Sequence, residues 1–218
     1  GLGDVYKRQP RQMAECRELG ITLCAGYGLT ECANLTSGNC DTDKKPESMG
    51  HIYPEQQVKV VDGELWIKGD NVMKEYYKDP EHTAEVLEDG WFKTGDLVEF
   101  DDNDWIYITG RIKNLIILPN GENVSPEEIE ELFYKQSLVK DCLVQEMEMN
   151  GNTVIGVEII PYMPELDGAS EEEIQNRLQE TVNEVNKELP PFKRVLKLKV
   201  RTEDFKRNGA MKILRNQA

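Results

Sequence analysis

The sequence is poor in basic residues and lacks a long apolar run. Among 218 residues, 41 are acidic and 26 are basic, which gives a formal net charge of −15 at pH 7. Because neutralising phosphates requires a basic surface, this balance excludes an electrostatic nucleic-acid binder. The longest aliphatic runs, such as residues 115–118, are far shorter than the ~20 apolar residues of a transmembrane segment. The composition predicts a globular protein of one or two domains.

Histidine is scarce, since only His51 and His82 are present. Four of the five cysteines recur every eight residues, but this spacing matches no common metal-ligand pattern. The cysteines are Cys16, Cys24, Cys32, Cys40 and Cys142. An odd count without a secretory signal indicates reduced thiols and a cytoplasmic protein.

Basic residues concentrate near the end of the sequence. Residues 193–215 contain nine basic and two acidic side chains, a net charge of +7, which leaves −22 for the rest. One interpretation is a solvated basic strand and tail that closes an acidic domain. The other is a surface that meets an anionic group such as a phosphate ester.

The first half of the sequence predicts a helix and a strand followed by a mostly β unit. Gly26-Tyr27-Gly28 is expected to end the first strand in a turn, and Asp62-Gly63 between alternating runs indicates a hairpin. The predicted elements are a helix (12–19), a strand (21–25), a loop (36–48), the hairpin (57–61 and 64–68), a helix (80–87) and a second hairpin (97–100 and 105–109).

The second half predicts a small α+β sandwich with the order β-α-β-β-α-β. Ser125-Pro126 and Ser170 begin two helices, and a capping box is expected at each of them. The predicted strands cover residues 114–118, 141–146, 152–160 and 195–200. The apolar side of the second helix consists of Ile174, Leu178, Val182, Val185 and Leu189.

Four short polar clusters stand out by their order and spacing, although each is weak alone. They are Gly26-Tyr27-Gly28-Leu29-Thr30-Glu31, Lys93-Thr94-Gly95-Asp96, Gly110-Arg111-Ile112-Lys113 and Met211-Lys212-Ile213. Together with residues 90–96 and 120–130, this pattern resembles the ANL superfamily of adenylate-forming enzymes. The resemblance is strongest to the fatty acyl-CoA synthetase branch and covers approximately residues 13–215.

The resemblance implies a two-step ligation. A carboxylic acid, expected to be a fatty acid, attacks the α-phosphate of ATP in the presence of Mg²⁺, which gives the acyl-adenylate and releases pyrophosphate. The acyl group then passes to the thiol of CoA, and AMP is released. It implies a mixed α/β and α+β fold: the β-rich end of the large AMP-binding domain (11–111) and a mobile lid domain (112–218). The alternatives are a carrier-protein pantetheine as acceptor and a non-catalytic fragment that serves in nucleotide binding or in interaction with a partner.

The resemblance also implies roles in the nucleotide site. In such enzymes the aromatic residue that corresponds to Tyr27 stacks on adenine. Gly26 and Gly28 would let the backbone approach the ligand. Thr30 would offer its hydroxyl to a phosphate oxygen. Glu31 would offer its carboxylate to Mg²⁺, which prefers oxygen ligands.

The remaining clusters supply a carboxylate and cations. Asp96, expected in a turn before a strand, suits ribose hydroxyls, and Arg111 suits ribose and phosphate oxygens. Lys113 corresponds to the hinge. Lys212 would stabilise the charge that develops at the α-phosphate. Lys206 is the alternative, because the sequence around Lys212 departs from the usual family pattern.

The family's Ser/Thr/Gly-rich phosphate loop is missing from the sequence, and no Gly-x-x-x-x-Gly-Lys-Ser/Thr loop replaces it. We therefore expect the chain to be the C-terminal part of a longer ligase, with poor turnover by itself. Residues 1–10 resemble nothing in the family, and we interpret them as a foreign or artefactual leader.

Overall fold

The computed structural model describes residues 16, 18–21, 24–40, 45, 47–208 and 213–215. The chain divides into two compact units, of which one is Leu19–Lys113 and the other includes the chain from Asn114 onward. This division falls two residues after the predicted boundary. The predicted helix over residues 12–19 lies largely outside the described residues. Within the described ranges, no helix is both long and apolar enough to cross a membrane.

The described residues of the unit Leu19–Lys113 form two sheets. Their strands are β1 (Ala25–Leu29), β2 (Asn34–Asn39), β3 (His51–Ile52), β4 (Gln57–Val61), β5 (Glu64–Lys68), β6 (Leu87–Glu88), β7 (Trp91–Phe100) and β8 (Ile106–Arg111). The first sheet has the order β1-β2-β3, and the second has the order β4-β5-β7-β6, with β8 also paired to β7. Helix α1 (Pro80–Val86) begins after Asp79, whose side chain accepts a hydrogen bond from the backbone N–H of His82.

The hairpin around Asp62-Gly63 is confirmed at the predicted residues. Strands β4 and β5 pair in antiparallel fashion up to Val61 and Glu64, directly beside the turn. Asp62 and Gly63 have φ values of 50° and 83°. Positive φ at both central residues is what a two-residue type I′ turn requires, and Asp-Gly tolerates it well. The second predicted hairpin is also confirmed, as β7 and β8.

The predicted loop over residues 36–48 is wrong at its start, because β2 extends to Asn39 and pairs with β1. Two polar side chains of this strand, those of Ser37 and Asn39, are buried and hydrogen-bonded. Ser37 Oγ donates to the carbonyl oxygen of Met49 at 2.7 Å, and Asn39 Nδ2 donates to that of Ser48 at 2.9 Å. Hydrophobic periodicity cannot reveal a strand whose inward side chains are polar and satisfied by backbone groups.

The unit from Asn114 onward is the predicted small α+β sandwich, and this prediction is confirmed. Its elements are β9 (Ile116–Ile117), β10 (Asn123–Val124), α2 (Pro126–Tyr134), β11 (Val139–Met149), β12 (Asn152–Pro161), α3 (Glu171–Glu188) and β13 (Lys197–Val200). Strands β11 and β12 are antiparallel, β12 and β13 are parallel, and β9 pairs with β10. Residues 112–114 form a 3₁₀ turn, so β9 is shorter than predicted.

Both helices of this unit begin where predicted, but their caps differ. At α3, Ser170 Oγ accepts from the N–H of Glu173, and the Glu173 carboxylate accepts from the N–H of Ser170, so the capping box is confirmed. At α2, Ser125 is the N-cap residue, but its hydroxyl donates to Glu127 Oε2 at 3.0 Å. The predicted apolar side of α3 faces the core, where Leu178 is buried against the same cluster as Phe133 of α2.

Candidate nucleotide site

Tyr27 lies in the middle of β1 and not in the predicted turn. It pairs with Ser37 of β2, and the residue is 8% exposed within the core of its unit. Gly26 fits closely against its neighbours, because a Cβ atom there would lie 3.1 Å from both the Leu35 side chain and the Ser37 carbonyl oxygen. The turn prediction failed because glycine can mark either a turn or the close approach of a neighbouring strand.

Asp96 also lies within a strand, at an inward-facing position of β7, and not in a turn before it. Phe92, Asp96 and Val98 are all buried, as the alternation of side chains along a strand requires. The preceding Gly95 has a φ of +70°, and its N–H donates to Glu64 Oε1 at 2.8 Å. A carboxylate at a core position is costly unless it is paired, so its partners are informative.

Three of the residues predicted from the sequence meet at this carboxylate. Tyr27 Oη donates to Asp96 Oδ2 at 2.7 Å, and Arg111 Nε lies 2.6 Å from Asp96 Oδ1. Asp96 and Arg111 are also register partners across β7 and β8, which fixes their backbones side by side. The Asp96 side chain is 2% exposed and that of Arg111 is 34% exposed, so the carboxylate is enclosed while the guanidinium reaches solvent.

The surroundings of Tyr27 keep its phenol protonated. Burial, reinforced by the negative charge of Asp96, raises the pKa of Tyr27 well above its ordinary value. The phenol therefore remains a neutral hydrogen-bond donor at physiological pH. The cluster combines a fixed donor, an acceptor of two oxygens and a partly exposed cation, which together can bind hydroxyl groups and an anion.

Thr30 and Glu31 follow β1 directly, in the 3₁₀ turn Thr30–Cys32. Thr30 is exposed and Glu31 is half-buried. Tyr76 Oη donates to Glu31 Oε1 at 2.9 Å, and the N–H of Met73 donates to the Glu31 carbonyl oxygen at 2.7 Å. Burial, together with the hydrogen bond to Glu31, raises the pKa of Tyr76 to about 12.

The contact of Tyr76 with Glu31 was not predicted from the sequence. Asn71 belongs to the same irregular segment, and its Nδ2 donates to the Cys32 carbonyl oxygen at 2.9 Å. This segment therefore holds the 3₁₀ turn of Glu31 through side chains as well as backbone. Tyr76 lies 45 residues from Glu31 and outside any periodic element, so no local pattern indicates the contact.

Glu31 is the predicted Mg²⁺ ligand. No group of three or more His, Cys, Asp or Glu side chains able to hold a metal ion occurs among the described residues. Mg²⁺ is commonly bound by one or two carboxylates together with substrate phosphates and waters. A single half-buried carboxylate whose Oε1 is fixed by Tyr76 fits such an ion only when phosphate oxygens complete the coordination.

Of the three lysines predicted from the sequence, the structure describes Lys113 and Lys206. Lys113 is exposed in the 3₁₀ turn Ile112–Asn114, and it is the last residue of the first unit. Lys206 is exposed, and its carbonyl oxygen accepts from the N–H of Leu214 at 2.9 Å. Lys212 lies outside the described residues. The roles of Lys113 as hinge and of Lys212 in catalysis therefore stay predictions.

Within the described part of 193–215, five of the nine basic residues form ion pairs with carboxylates of their own unit. These pairs are Lys193–Glu128, Lys199–Glu158, Arg201–Glu158, Arg207–Asp141 and Arg215 with both Glu127 and Glu130. Burial opposes ionisation of Glu158, but hydrogen bonds from Lys199 and Arg201 outweigh it and hold its pKa below the ordinary value. Much of the positive charge therefore neutralises carboxylates within the unit.

Two family models match the chain. The model described as AMP-binding enzyme matches residues 7–77, a range that begins inside the decapeptide interpreted as a leader. The model described as AMP-binding enzyme C-terminal domain matches residues 113–218. Both describe adenylate-forming enzymes, and the matched ranges fall on either side of the strands that carry Asp96 and Arg111.

Individual proteins agree with this class. A long-chain-fatty-acid–CoA ligase of Salmonella typhimurium is 39% identical over 134 residues, which cover 56% of this chain and 24% of that protein. A 4-coumarate–CoA ligase-like protein of Oryza sativa is 33% identical over 210 residues, which cover 89% of this chain and 36% of that protein. The structure of O-succinylbenzoate CoA synthetase from Bacillus subtilis, in complex with ATP and magnesium, matches with a TM-score of 0.76 and 27% identity, covering 96% of this chain and 44% of that one.

The chain belongs to the ANL superfamily of adenylate-forming enzymes. It spans 24% and 36% of the length of the two curated relatives just named.

Proposed function

We propose that this chain carries part of the nucleotide site and the lid domain of an AMP-forming acid–thiol ligase that adenylates a carboxylic acid and transfers the acyl group to CoA. The observation that carries the proposal is the convergence of Tyr27, Asp96 and Arg111, from three different strands, on one enclosed carboxylate. The similarity to CoA ligases along most of the chain supports it.

In this proposal the side chains divide the recognition of the nucleotide. Arg111, which is 34% exposed, offers its remaining N–H groups to ribose or phosphate oxygens. Asp96 holds that guanidinium in place, and its 2% exposed carboxylate accepts hydrogen bonds from ribose hydroxyls only when the ligand gains access to it. Tyr27 holds the Asp96 carboxylate in place through its hydroxyl. Stacking of its ring on adenine would require an accessible ring face, and its 8% exposure leaves little of the ring accessible.

The phosphate side of the proposed site rests on Thr30 and Glu31. Mg²⁺, when bound with the nucleotide, would supply positive charge at the phosphate oxygens. Glu31 would hold this ion with a carboxylate that Tyr76 keeps in place, and the exposed Thr30 hydroxyl would donate to a phosphate oxygen. We retain Lys212 as the cation that stabilises negative charge at the α-phosphate, with Lys206 as its alternative.

The names of the similar proteins agree on the thiol acceptor but differ in the acid. The three proteins compared above are named for CoA, but for different acids: long-chain fatty acids, 4-coumarate and O-succinylbenzoate. We propose CoA as the thiol and a fatty acid as the first acid to test. The charge argument for an acidic carrier protein is reduced, because five of the nine basic residues in 193–215 already pair within their own unit.

The test is AMP binding to the 218-residue chain by isothermal titration calorimetry, with circular dichroism to establish folding. Asp96→Asn keeps the shape of the side chain but removes its charge, and we expect a loss of affinity of at least ~10-fold, since hydrogen bonds to charged groups contribute ~1.5–3 kcal/mol. Asp102→Asn, an exposed residue between β7 and β8, is the matched control. Unchanged affinity in Asp96→Asn, or no binding by folded wild type at millimolar AMP, would favour the non-catalytic alternative.

A further inference from the structure

Two cysteines face each other at one end of the β1–β2 ladder. Ala25 pairs with Asn39 and Tyr27 pairs with Ser37, so continuing the register by one residue places Cys24 opposite Cys40. Opposed residues of an antiparallel pair project to the same face. Both cysteines are exposed, whereas Ala25 and Asn39 are buried, as the alternation of faces requires.

We propose that Cys24 and Cys40 form a reversible intramolecular disulfide by exchange with a low-molecular-weight disulfide such as oxidised glutathione. Directly opposed residues have Cα atoms ~4.5–5.5 Å apart, and disulfides span ~4.4–6.8 Å between Cα atoms. From the extended register we infer that the Cα atoms of Cys24 and Cys40 lie within the span of a disulfide without rearrangement of the strands.

The two thiols are in contact, and the exchange takes two steps. A hydrogen bond between the Cys40 and Cys24 side chains raises the pKa of Cys40. One of the two cysteines attacks, as its thiolate, one sulfur of the small disulfide and releases one small thiolate. The other cysteine then loses its proton to solvent, attacks the protein sulfur of the mixed disulfide and releases the second small thiolate. Two protein thiols are oxidised and one small disulfide is reduced to two thiols.

Buried cysteines supply an internal contrast. Cys32 and Cys142 are both 0% exposed. Burial raises the pKa of Cys32 to about 11 and raises that of Cys142 well above its ordinary value. Because the thiolate is the reactive form, these two residues are protected both by access and by protonation.

The disulfide would close a loop that contains β1, the 3₁₀ turn and β2. Such a cross-link stabilises a folded unit mainly by constraining the unfolded chain. Oxidation should therefore raise the Tm of the chain. This inference does not depend on nucleotide binding, so it can fail while the proposed function holds.

The experiment equilibrates the reduced chain in glutathione buffers of increasing oxidised fraction, followed by acid quenching, alkylation of free thiols and peptide mapping by mass spectrometry. We expect a Cys24–Cys40 cross-linked peptide without bound glutathione, alkylation of Cys32 and Cys142 only after denaturation, and full reversal by dithiothreitol. Oxidised wild type should have the higher Tm.

The matched variants are Cys24→Ser and Cys40→Ser, which are conservative at exposed positions. Each should accumulate glutathione on the remaining cysteine, and neither should show the rise in Tm. Stable glutathione adducts on wild type without the cross-linked peptide, or a cross-link that joins Cys24 or Cys40 to a different cysteine, would overturn the proposal.

Discussion

In the unit Leu19–Lys113, the enclosed carboxylate of Asp96 contacts a phenol and one arginine, whereas in the unit from Asn114 onward, buried carboxylates contact the basic residues near the chain end. The arginines differ in what else they bind. Arg215 donates to Glu130, to Glu127 and to the Val144 carbonyl oxygen. Within the described part of the chain, the Arg111 side chain hydrogen-bonds Asp96 alone.

This difference separates a binding cluster from a structural one. Arg215 uses its donors on partners in the protein, so it fixes the end of the chain onto the sandwich. Arg111 keeps donors available and remains 34% exposed, so it can bind a ligand without breaking its pair with Asp96. The charge of a segment in the sequence cannot distinguish these two uses of arginine.

The largest expected effect tests the structural side of this comparison. Arg215→Met leaves Glu130 buried without its cation and should lower the free energy of unfolding by ~3–5 kcal/mol at pH 8, measured by urea denaturation. Lys187→Met is the control in the same unit, because its pair with Glu184 is exposed and should contribute less than ~1 kcal/mol. Equal losses in the two variants would break the distinction between buried and surface pairs.

The pH dependence of stability tests the same buried pair, Glu130 and Arg215. Burial raises the pKa of Glu130 from 4.5 to about 7, although Arg215 opposes this shift. Between these values the folded state binds more protons than the unfolded state, so the contribution of Glu130 to stability falls as pH rises from about 4.5 to 7.

Glu130→Gln removes this titration. The stability of wild type relative to Glu130→Gln should therefore decline by ~1–3 kcal/mol across that window. A difference that stays constant with pH would show that Glu130 titrates alike in the folded and unfolded states.

A smaller effect tests the binding side. Tyr76→Phe removes the donor to Glu31 but keeps the ring. On the proposed function, affinity for ATP with Mg²⁺ should fall by ~2–10-fold, the equivalent of one hydrogen bond, while affinity for AMP without metal stays unchanged. Calorimetric titrations with each nucleotide measure both. An equal loss for AMP would show that Tyr76 supports the unit as a whole and not the Glu31 carboxylate.

Elements with local signals could be predicted from the sequence. The Asp62-Gly63 hairpin and the Ser170 capping box are each specified by a few adjacent residues, and both were located correctly. Asp96 was expected in a turn because Thr94 and Gly95 precede it. Its inward position between Phe92 and Val98 only becomes evident when the whole strand is traced.

Long-range contacts could not be predicted from the sequence. Tyr76 reaches Glu31 through an irregular segment, and Arg215 reaches Glu130 across 85 residues. Neither contact leaves a periodic trace. The pairing of Asp96 with Arg111 lies between these cases, because the hairpin was predicted but its register was not.

The most direct test of the distinction between the two units is AMP binding by Arg111→Gln and Arg215→Gln, measured by calorimetry and corrected for the folded fraction of each variant. The account predicts a loss of affinity of at least ~10-fold for Arg111→Gln and wild-type affinity for folded Arg215→Gln. Wild-type affinity in Arg111→Gln, or an equal loss in both variants, would contradict it.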